Sequence, residues 1–400
     1  MKKLLLALAV VGVTLFTACT EECNHDFIEV DYSKDLVGTW TIVESDHACA
    51  YIFNADGTVS TTGVDGEGYW EDVKGTYSIV NNKITMNFES GYNIEGSFDL
   101  IPGHTFSFVD KTGRYIYNYC KEDLADEVVG MWVWVDSNGK GTENMGIQTF
   151  NADGTALFTG GYEEIDYKVN DESTYKVIGD LLIQHLPDQN PSYMTRRLTF
   201  KANGTATGDI LTTYSPETNY TASWLRVKQS LDLADQKYDY IKTFVTNVKG
   251  EDKDINFMGY TFNFAKMDGS GLDKMLKALL FAVEFPDADH LNYSYQMNGN
   301  KETYNSPIVV EGNTMTIKMS EKVATLKDVV LYAFQDADCS QLHFYMHKTA
   351  FVNFYTNMQA MLMEATDEQF DINNAEAVNA IYDNINNAVE TINVSLVMSK

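Results

Sequence analysis

From Gly75 onward, apolar and polar residues alternate in short runs. Tyr77/Ile79, Ile84/Met86/Phe88, Phe106/Phe108 and Tyr115/Tyr117/Tyr119 each recur at every second position. A period of two gives one dry and one wet face, the mark of a half-buried strand. Turn signals separate the runs about every ten residues, which predicts a sandwich or an up-and-down barrel. The hexapeptide Phe-Asn-Ala-Asp-Gly-Thr occurs at Phe53–Thr58 and again at Phe150–Thr155. Asp-Gly between apolar runs predicts a tight hairpin, because both central residues can take positive φ.

The repetition extends beyond the turn. Leu36-Val-Gly-Thr-Trp40 precedes the first copy and Val128-Val-Gly-Met-Trp132 the second. Gly75-Thr-Tyr-Ser-Ile79 follows the first and Ser173-Thr-Tyr-Lys-Val177 the second, each then a turn and another strand. Gly38 and Gly130 stand 92 positions apart, so the hexapeptide marks one hairpin of a duplicated unit of domain size.

From residue 230 the pattern changes. Leu231–Lys249 and Gly271–Ala282 have helical spacing. Tyr293/Tyr295/Met297, Met315/Ile317/Met319, Val330/Tyr332/Phe334 and Leu342/Phe344/Met346 alternate like strands. Phe351, Phe354, Met358 and Met361 form a helical stripe. Val378, Ile381, Ile385 and Val389 form another, with Asn374 placed to cap it. Ile392/Val394/Leu396/Met398 predicts a last strand.

A Gly-x-Trp opening strand followed by Phe-x-x-Asp-Gly-Thr on the next hairpin resembles the lipocalin-like (calycin) domains of Bacteroidota lipoproteins. The resemblance covers residues 34–121 and 122–229. It implies tandem antiparallel up-and-down β-barrels, each plugged at one end by its tryptophan, Trp40 or Trp132. In such barrels a basic side chain from the last strand crosses that tryptophan. Arg226 takes this role for Trp132, and Lys121 is its counterpart for Trp40. The predicted fold is thus mainly β: two lipocalin-like barrels and a third β-rich, α+β barrel-like unit over 230–400 carrying added helices.

The start of the chain is of another kind. Lys2 and Lys3 precede an apolar run from Leu4 to Ala18, the length of a signal-peptide core and short for a membrane span. The run ends Phe-Thr-Ala-Cys, which resembles a bacterial lipobox, with residues 1–18 removed and Cys19 acylated. Glu21 and Glu22 follow, resembling the surface-export signal of Bacteroidota lipoproteins. Residues 19–33 then form a linker that reaches up to about 50 Å if extended. This places the protein lipid-anchored at the outer membrane, cell-surface exposed, or else on the periplasmic face.

Composition narrows the partners. Twenty-four Tyr and 21 Phe against 6 Pro suit half-buried strands. A net charge of −28 repels nucleic acid and anionic lipid surfaces, so no nucleic-acid partner is expected. Cys23, Cys49, Cys120 and Cys339 show no metal-ligand spacing, and buried free thiols are the plain reading. In the barrel that the resemblance implies, Cys120 lies near the plugged end and Cys49 towards the other, so that pair is not expected, while Cys23–Cys120 is conceivable because the linker returns to the plugged end.

Catalytic signatures are absent from the sequence. No cofactor, no metal and no enzymatic activity are expected. Asn54-Ala-Asp56-Gly57 lacks the later ligands of a calcium loop. Asp287/Asp289 and Asp336/Asp338 read as solvated loops. His343-Phe-Tyr-Met-His347 is the most suggestive stretch. On a strand His343, Tyr345 and His347 share one face. That row lines the lumen and meets a polar ligand if the apolar row faces the helices; otherwise it is a wet outer face. The leading function is an envelope-anchored, non-catalytic lipoprotein that binds a small apolar or amphipathic ligand. Alternatives are a surface scaffold or adhesin with filled barrels that meets protein or glycan, and an envelope hydrolase. Bulky inward residues (Trp40, Phe53, Tyr77, Met86, Phe106, Tyr117) predict that the first two barrels fill themselves. Any ligand is then expected within 230–400, in a cleft left by a sheet that does not close.

Overall fold

The computed structural model describes residues 32–111, 113–135, 146–160, 171–187, 192–202, 209–257, 260–267, 269–297, 299–367 and 369–400. Cys19, Glu21, Glu22 and Cys23 lie outside them. The described chain forms three closed antiparallel barrels of eight strands. The first runs β1 (Gly38–Val43), β2 (His47–Phe53), β3 (Thr58–Asp65), β4 (Gly68–Val80), β5 (Lys83–Phe88), β6 (Asn93–Ile101), β7 (Thr105–Val109), β8 (Arg114–Cys120). After the one-turn helix α1 (Ala125–Val128), the second runs β9 (Gly130–Val135), β10 (Gly146–Phe150), β11 (Thr155–Gly160), β12 (Asp171–Ile178), β13 (Leu181–His185), β14 (Tyr193–Lys201), β15 (Ile210–Ser215), β16 (Tyr220–Val227). Both are up-and-down, and β16 closes on β9.

The third barrel begins with β17 (Gln236–Gly250). The hairpin β18 (Asp254–Phe257), β19 (Tyr260–Asn263) and the helix α2 (Ser270–Ala278) intervene. It continues through β20 (Ala282–Phe285), β21 (His290–Met297), β22 (Asn300–Glu311), β23 (Thr314–Ile317), β24 (Val329–Gln335) and β25 (Gln341–His347). Helices α3 (Lys348–Thr366) and α4 (Ala375–Ala388) precede the closing strand β26 (Val389–Ser399).

Compactness divides the chain into two units. Of the described residues, one holds 32–38, Ile52–Ser60 and Val73–Tyr119; the other holds Thr39–Tyr51, Thr61–Asp72 and those from Cys120 to Lys400. In the first unit the hexapeptide builds a closed turn. Asp56 accepts from the Thr58 amide at 3.0 Å and from its hydroxyl at 2.6 Å. The Gly57 amide donates to the Asn54 carbonyl, and the Tyr77 hydroxyl donates to that same carbonyl at 3.0 Å. Phe53 packs edge-on against Tyr77 at 5.0 Å. In the second unit Asp153, Thr155, Gly154, Asn151, Tyr175 and Phe150 repeat every one of these contacts. The repeated residues are therefore those that satisfy one turn. Of its two central residues only the glycine takes positive φ, +82° at Gly57 and +83° at Gly154. The aspartate keeps negative φ because its carboxylate is engaged ahead of it in the chain.

The third barrel corrects two expectations. Residues 236–250 form a strand, not a helix. β17 pairs with both β20 and β26, and its register shifts between Tyr240 and Lys242, between Thr246 and Lys249 and between Lys249 and Gly250. Each shift breaks the period of two, so apolar residues fall at helix-like intervals along a bulged strand. The sheet also closes fully. β25 passes into α3 and α4 into β26 with no loop between them, so the two strands still pair from Gln341↔Ser399 to His347↔Asn393. The helical hairpin is inserted at the barrel end without parting the sheet. Asn374 caps α4, its side chain accepting from the Glu376 and Ala377 amides.

Candidate functional site

The plugged end of the second barrel is built around Trp132, which is fully buried. Its indole donates to the Val128 carbonyl at 2.7 Å. The Arg226 guanidinium lies 4.4 Å from its ring centroid, donates to the Val129 carbonyl at 2.6 Å and to that of Glu127, and pairs with Asp209 at 3.2 Å. Gly130 has a φ of +139°, and a Cβ there would stand 2.9 Å from the guanidinium. Only glycine tolerates both conditions. In the first barrel Trp40 is likewise fully buried, while Lys121 is exposed. There the Tyr119 ring covers Gly38, whose added Cβ would meet it at 2.6 Å.

Away from the plug, the inward positions of the second barrel change character. Near Trp132 they are Phe150, Val177, Leu182, Leu198 and Leu211. Two residues further along the same strands stand Gln148, Gln184, Arg196 and Thr213, with Trp134, Phe158 and Trp224 among them. They line an open calyx of about 370 Å³. That lies at the lower end of the roughly 300–1,000 Å³ usual for small-molecule sites. Trp134 and Trp224 stack at 5.9 Å and 23°, giving the calyx one flat wall. The Trp224 indole donates to Thr213 at 3.1 Å, and Gln184 donates to Ser173 at 2.7 Å.

Arg196 is the charged member of this lining on the barrel's inward row Met194, Arg196, Leu198 and Phe200. The hydrogen bond it makes runs from its Nη2 to the Met194 sulfur. Its Nε is enclosed and has no acceptor among the described residues. Burial pulls its pKa below the usual range, partly offset by the charge of Glu217 at the rim. The expectation that the second barrel fills itself is therefore wrong. Beyond the plug its inward row turns polar, and those side chains leave space between them rather than closing on one another.

The lumen of the third barrel, where a ligand was expected, is filled, although an open cleft of about 350 Å³ remains beside α3, lined by Tyr293, Tyr304, Met319, Leu326, Met361 and Glu364. Phe354, Asn357, Met358 and Met361 of α3 descend onto Phe344, Met346, Tyr293 and Ile317 and leave about 30 Å³. The helix is fixed there. Asn357 donates to the Lys327 carbonyl at 2.7 Å and accepts from its amide at 3.0 Å, and Asn353 donates to the Asp328 carbonyl at 2.8 Å.

The His343, Tyr345, His347 row does not reach that lumen. Leu342, Phe344 and Met346 face the barrel interior, so the histidine row faces outward. The outer face is not wet either. Tyr345 and Phe334 pack with Val133, Val135, Ile147, Ile210, Leu225 and Val227 from the outside of the second barrel. His343, opposite Phe334, is 1% exposed. Its Nε2 meets Gln341 Oε1 at 3.1 Å, its Nδ1 is enclosed without a partner among the described residues, and burial pulls its pKa down to about 4. His347 pairs with Asn393 at 2.8 Å. Tyr345 and His343 are thus buried at a joint between two barrels, and His347 is half-buried.

Among the described residues no group of three or more His, Cys, Asp or Glu is placed to hold a metal ion. Asp336 holds a turn through the Gln341 amide and Ser340, and Asp287 pairs with His290. Cys49, Cys120 and Cys339 form no disulfide among the described residues. Burial and the neighbouring Asp180 push the Cys120 thiol up to about 12, far from a nucleophile's range. No described helix is long and apolar enough to cross a membrane.

No protein-family model matches this sequence, and no curated protein does. Among solved structures it is similar to a double mutant of the vaccine antigen transferrin binding protein B from Haemophilus parasuis. The identity is 11% and the TM-score 0.22, over 88% of this chain and 65% of that one. This chain thus spans less than two thirds of that structure's length. At that score the likeness carries no argument about function.

Proposed function

We propose that this protein is a lipid-anchored envelope protein whose second barrel captures a small apolar or amphipathic ligand without transforming it. The observation that carries this reading is the calyx of about 370 Å³ opposite the Trp132 plug, walled by Trp134 and Trp224. An eight-stranded barrel has room for its own side chains or for one small ligand. Here the inward residues of the far half leave that room. A duplicated Gly-x-Trp plug and an open far end are what a lipocalin-like barrel requires. On this reading the other two barrels are supports, with the third filled by α3. The anchor is the lipid on Cys19, and Glu21-Glu22 direct the chain to the outer face.

Native mass spectrometry of protein purified from its own host tests the binding. A co-purified small molecule should be present and should be lost from Trp134→Ala/Phe158→Ala. A ligand retained by that variant would move the site elsewhere. Cys19→Ala should shift the protein from the membrane to the soluble fraction, and unchanged partitioning would end the anchoring claim. The filled third barrel favours a second reading, a surface scaffold or adhesin. It predicts no bound small molecule and a partner held on an outer face.

A further inference from the structure

The second barrel contains three arginines whose settings differ. Arg226 reaches Asp209 and two carbonyls, and Arg197 lies 3.6 Å from Asp180. Arg196 points the other way, into the calyx, and has a thioether for its hydrogen-bond partner. A guanidinium carries five N–H donors, and a thioether is a weak acceptor. Arg196 is half-buried with its Nε enclosed, and a charge drawn out of water is costly unless it is paired. Among the described residues Arg226 and Arg197 each have a carboxylate within 3.6 Å, whereas Arg196 has none in ion-pair reach and feels Glu217 only from the rim.

The remaining lining fixes what the acceptor is attached to. Trp134 and Trp224 form a flat wall with Phe158, which suits a planar apolar body. Arg196 is the cation among the lining residues and Glu217 stands at the rim, so a second negative charge would meet repulsion. The chain's charge of −28 acts against polyanions in the same sense.

We propose that the calyx takes a small, flat, largely apolar molecule bearing one negative charge, with Arg196 as counter-ion and Trp134/Trp224 as the stacking wall. This rests on the calyx reading above and adds the ligand's charge to it. A matched pair of probes separates the two claims. 8-Anilinonaphthalene-1-sulfonate and N-phenyl-1-naphthylamine share one ring framework and differ by a sulfonate. Both are titrated into the full chain, read by probe emission and by quenching of tryptophan emission.

The anionic probe should bind about tenfold to a hundredfold more tightly, the range for a hydrogen bond to a charged group. Arg196→Gln should remove that preference, and a far-ultraviolet circular dichroism spectrum matching the wild type shows that the variant is folded. Arg196→Lys should keep much of it. Equal affinity for both probes, or a preference that survives Arg196→Gln, overturns the charge assignment and leaves the calyx standing. If neither probe's binding responds to Trp134→Ala, the calyx reading falls and the assignment with it.

Discussion

His343 offers a test of the joint between the second and third barrels. It is fully enclosed, its described partner is the neutral amide of Gln341, and burial alone pulls its pKa from the ordinary 6.5 to about 4. A base with a lowered folded pKa takes up its proton more readily when unfolded. Between pH 6.5 and 4 the unfolded chain therefore binds more protons, and stability is lost as pH falls through that window. Each tenfold change in proton affinity corresponds to about 1.4 kcal/mol. The whole displacement amounts to about 3 kcal/mol, of which about 2 kcal/mol is lost between pH 7 and 5.

Other groups titrate in the same window, so the readout is a difference. Urea unfolding of the wild type and of His343→Leu, at pH 7 and pH 5, isolates the histidine. The substituted leucine would place an apolar side chain among apolar neighbours and cannot take up a proton. The wild type should lose about 2 kcal/mol more than the variant on acidification. His343→Gln, neutral but polar, should show the same flattened pH dependence. Parallel losses in wild type and variants would mean that the histidine is hydrated, and the dry joint would be wrong.

Trp132→Ala should destabilise the second barrel by about 3–5 kcal/mol, since it empties a buried aromatic site and strips the face that Arg226 covers; a loss under about 1 kcal/mol in urea would mean that the plug is not part of the core. Gly57→Ala and Gly154→Ala should each cost about 1–2 kcal/mol, because alanine at φ near +80° is strained. The two losses should match, since the turns share every contact, and unequal thermal shifts would show that the repeats are not equivalent.

The legible parts of this sequence are those where backbone geometry dictates the residue. Gly-x-Trp and the Asp-Gly-Thr turn can be read because a glycine at φ +139° or +83° has no substitute. Alternation locates the strands but not their dryness. β24 carries Val329, Leu331 and Ala333 inward and Tyr332 and Phe334 outward against the second barrel. A strand apolar on both faces is covered on both, and this signal in β24 identifies the face on which His343 lies. Parity alone assigns a polar residue to water, and it fails where a second barrel replaces the water. β17 imitates a helix because three register shifts disturb its period. The calyx is signalled by Arg196, a charge at every-second-residue spacing with Met194, Leu198 and Phe200. A solvent-facing arginine would not share their row.

The second and third barrels show that closure does not decide whether a lumen is open. Both have eight strands, and their difference lies in the inward residues. α3 brings Phe354, Met358 and Met361 into the third barrel and leaves about 30 Å³ in its lumen, whereas Gln184, Arg196 and Thr213 line the open second. If so, the open lumen has a cost in stability that a filled one would lack. Arg196→Met removes the unpaired charge and places a flexible apolar chain beside Met194. Replacing a buried ion pair by hydrophobes of similar volume is neutral to stabilising by about 1–4 kcal/mol, and a single half-buried charge such as Arg196 lies at the low end of that range. The variant should therefore melt higher than the wild type and bind the anionic probe less, the trade expected when a site is kept unsatisfied for a ligand. Lower stability in Arg196→Met would show that the guanidinium is paired within the ligand-free protein. Its missing acceptor would then be supplied by the chain itself, and the calyx would have no vacancy for an anion.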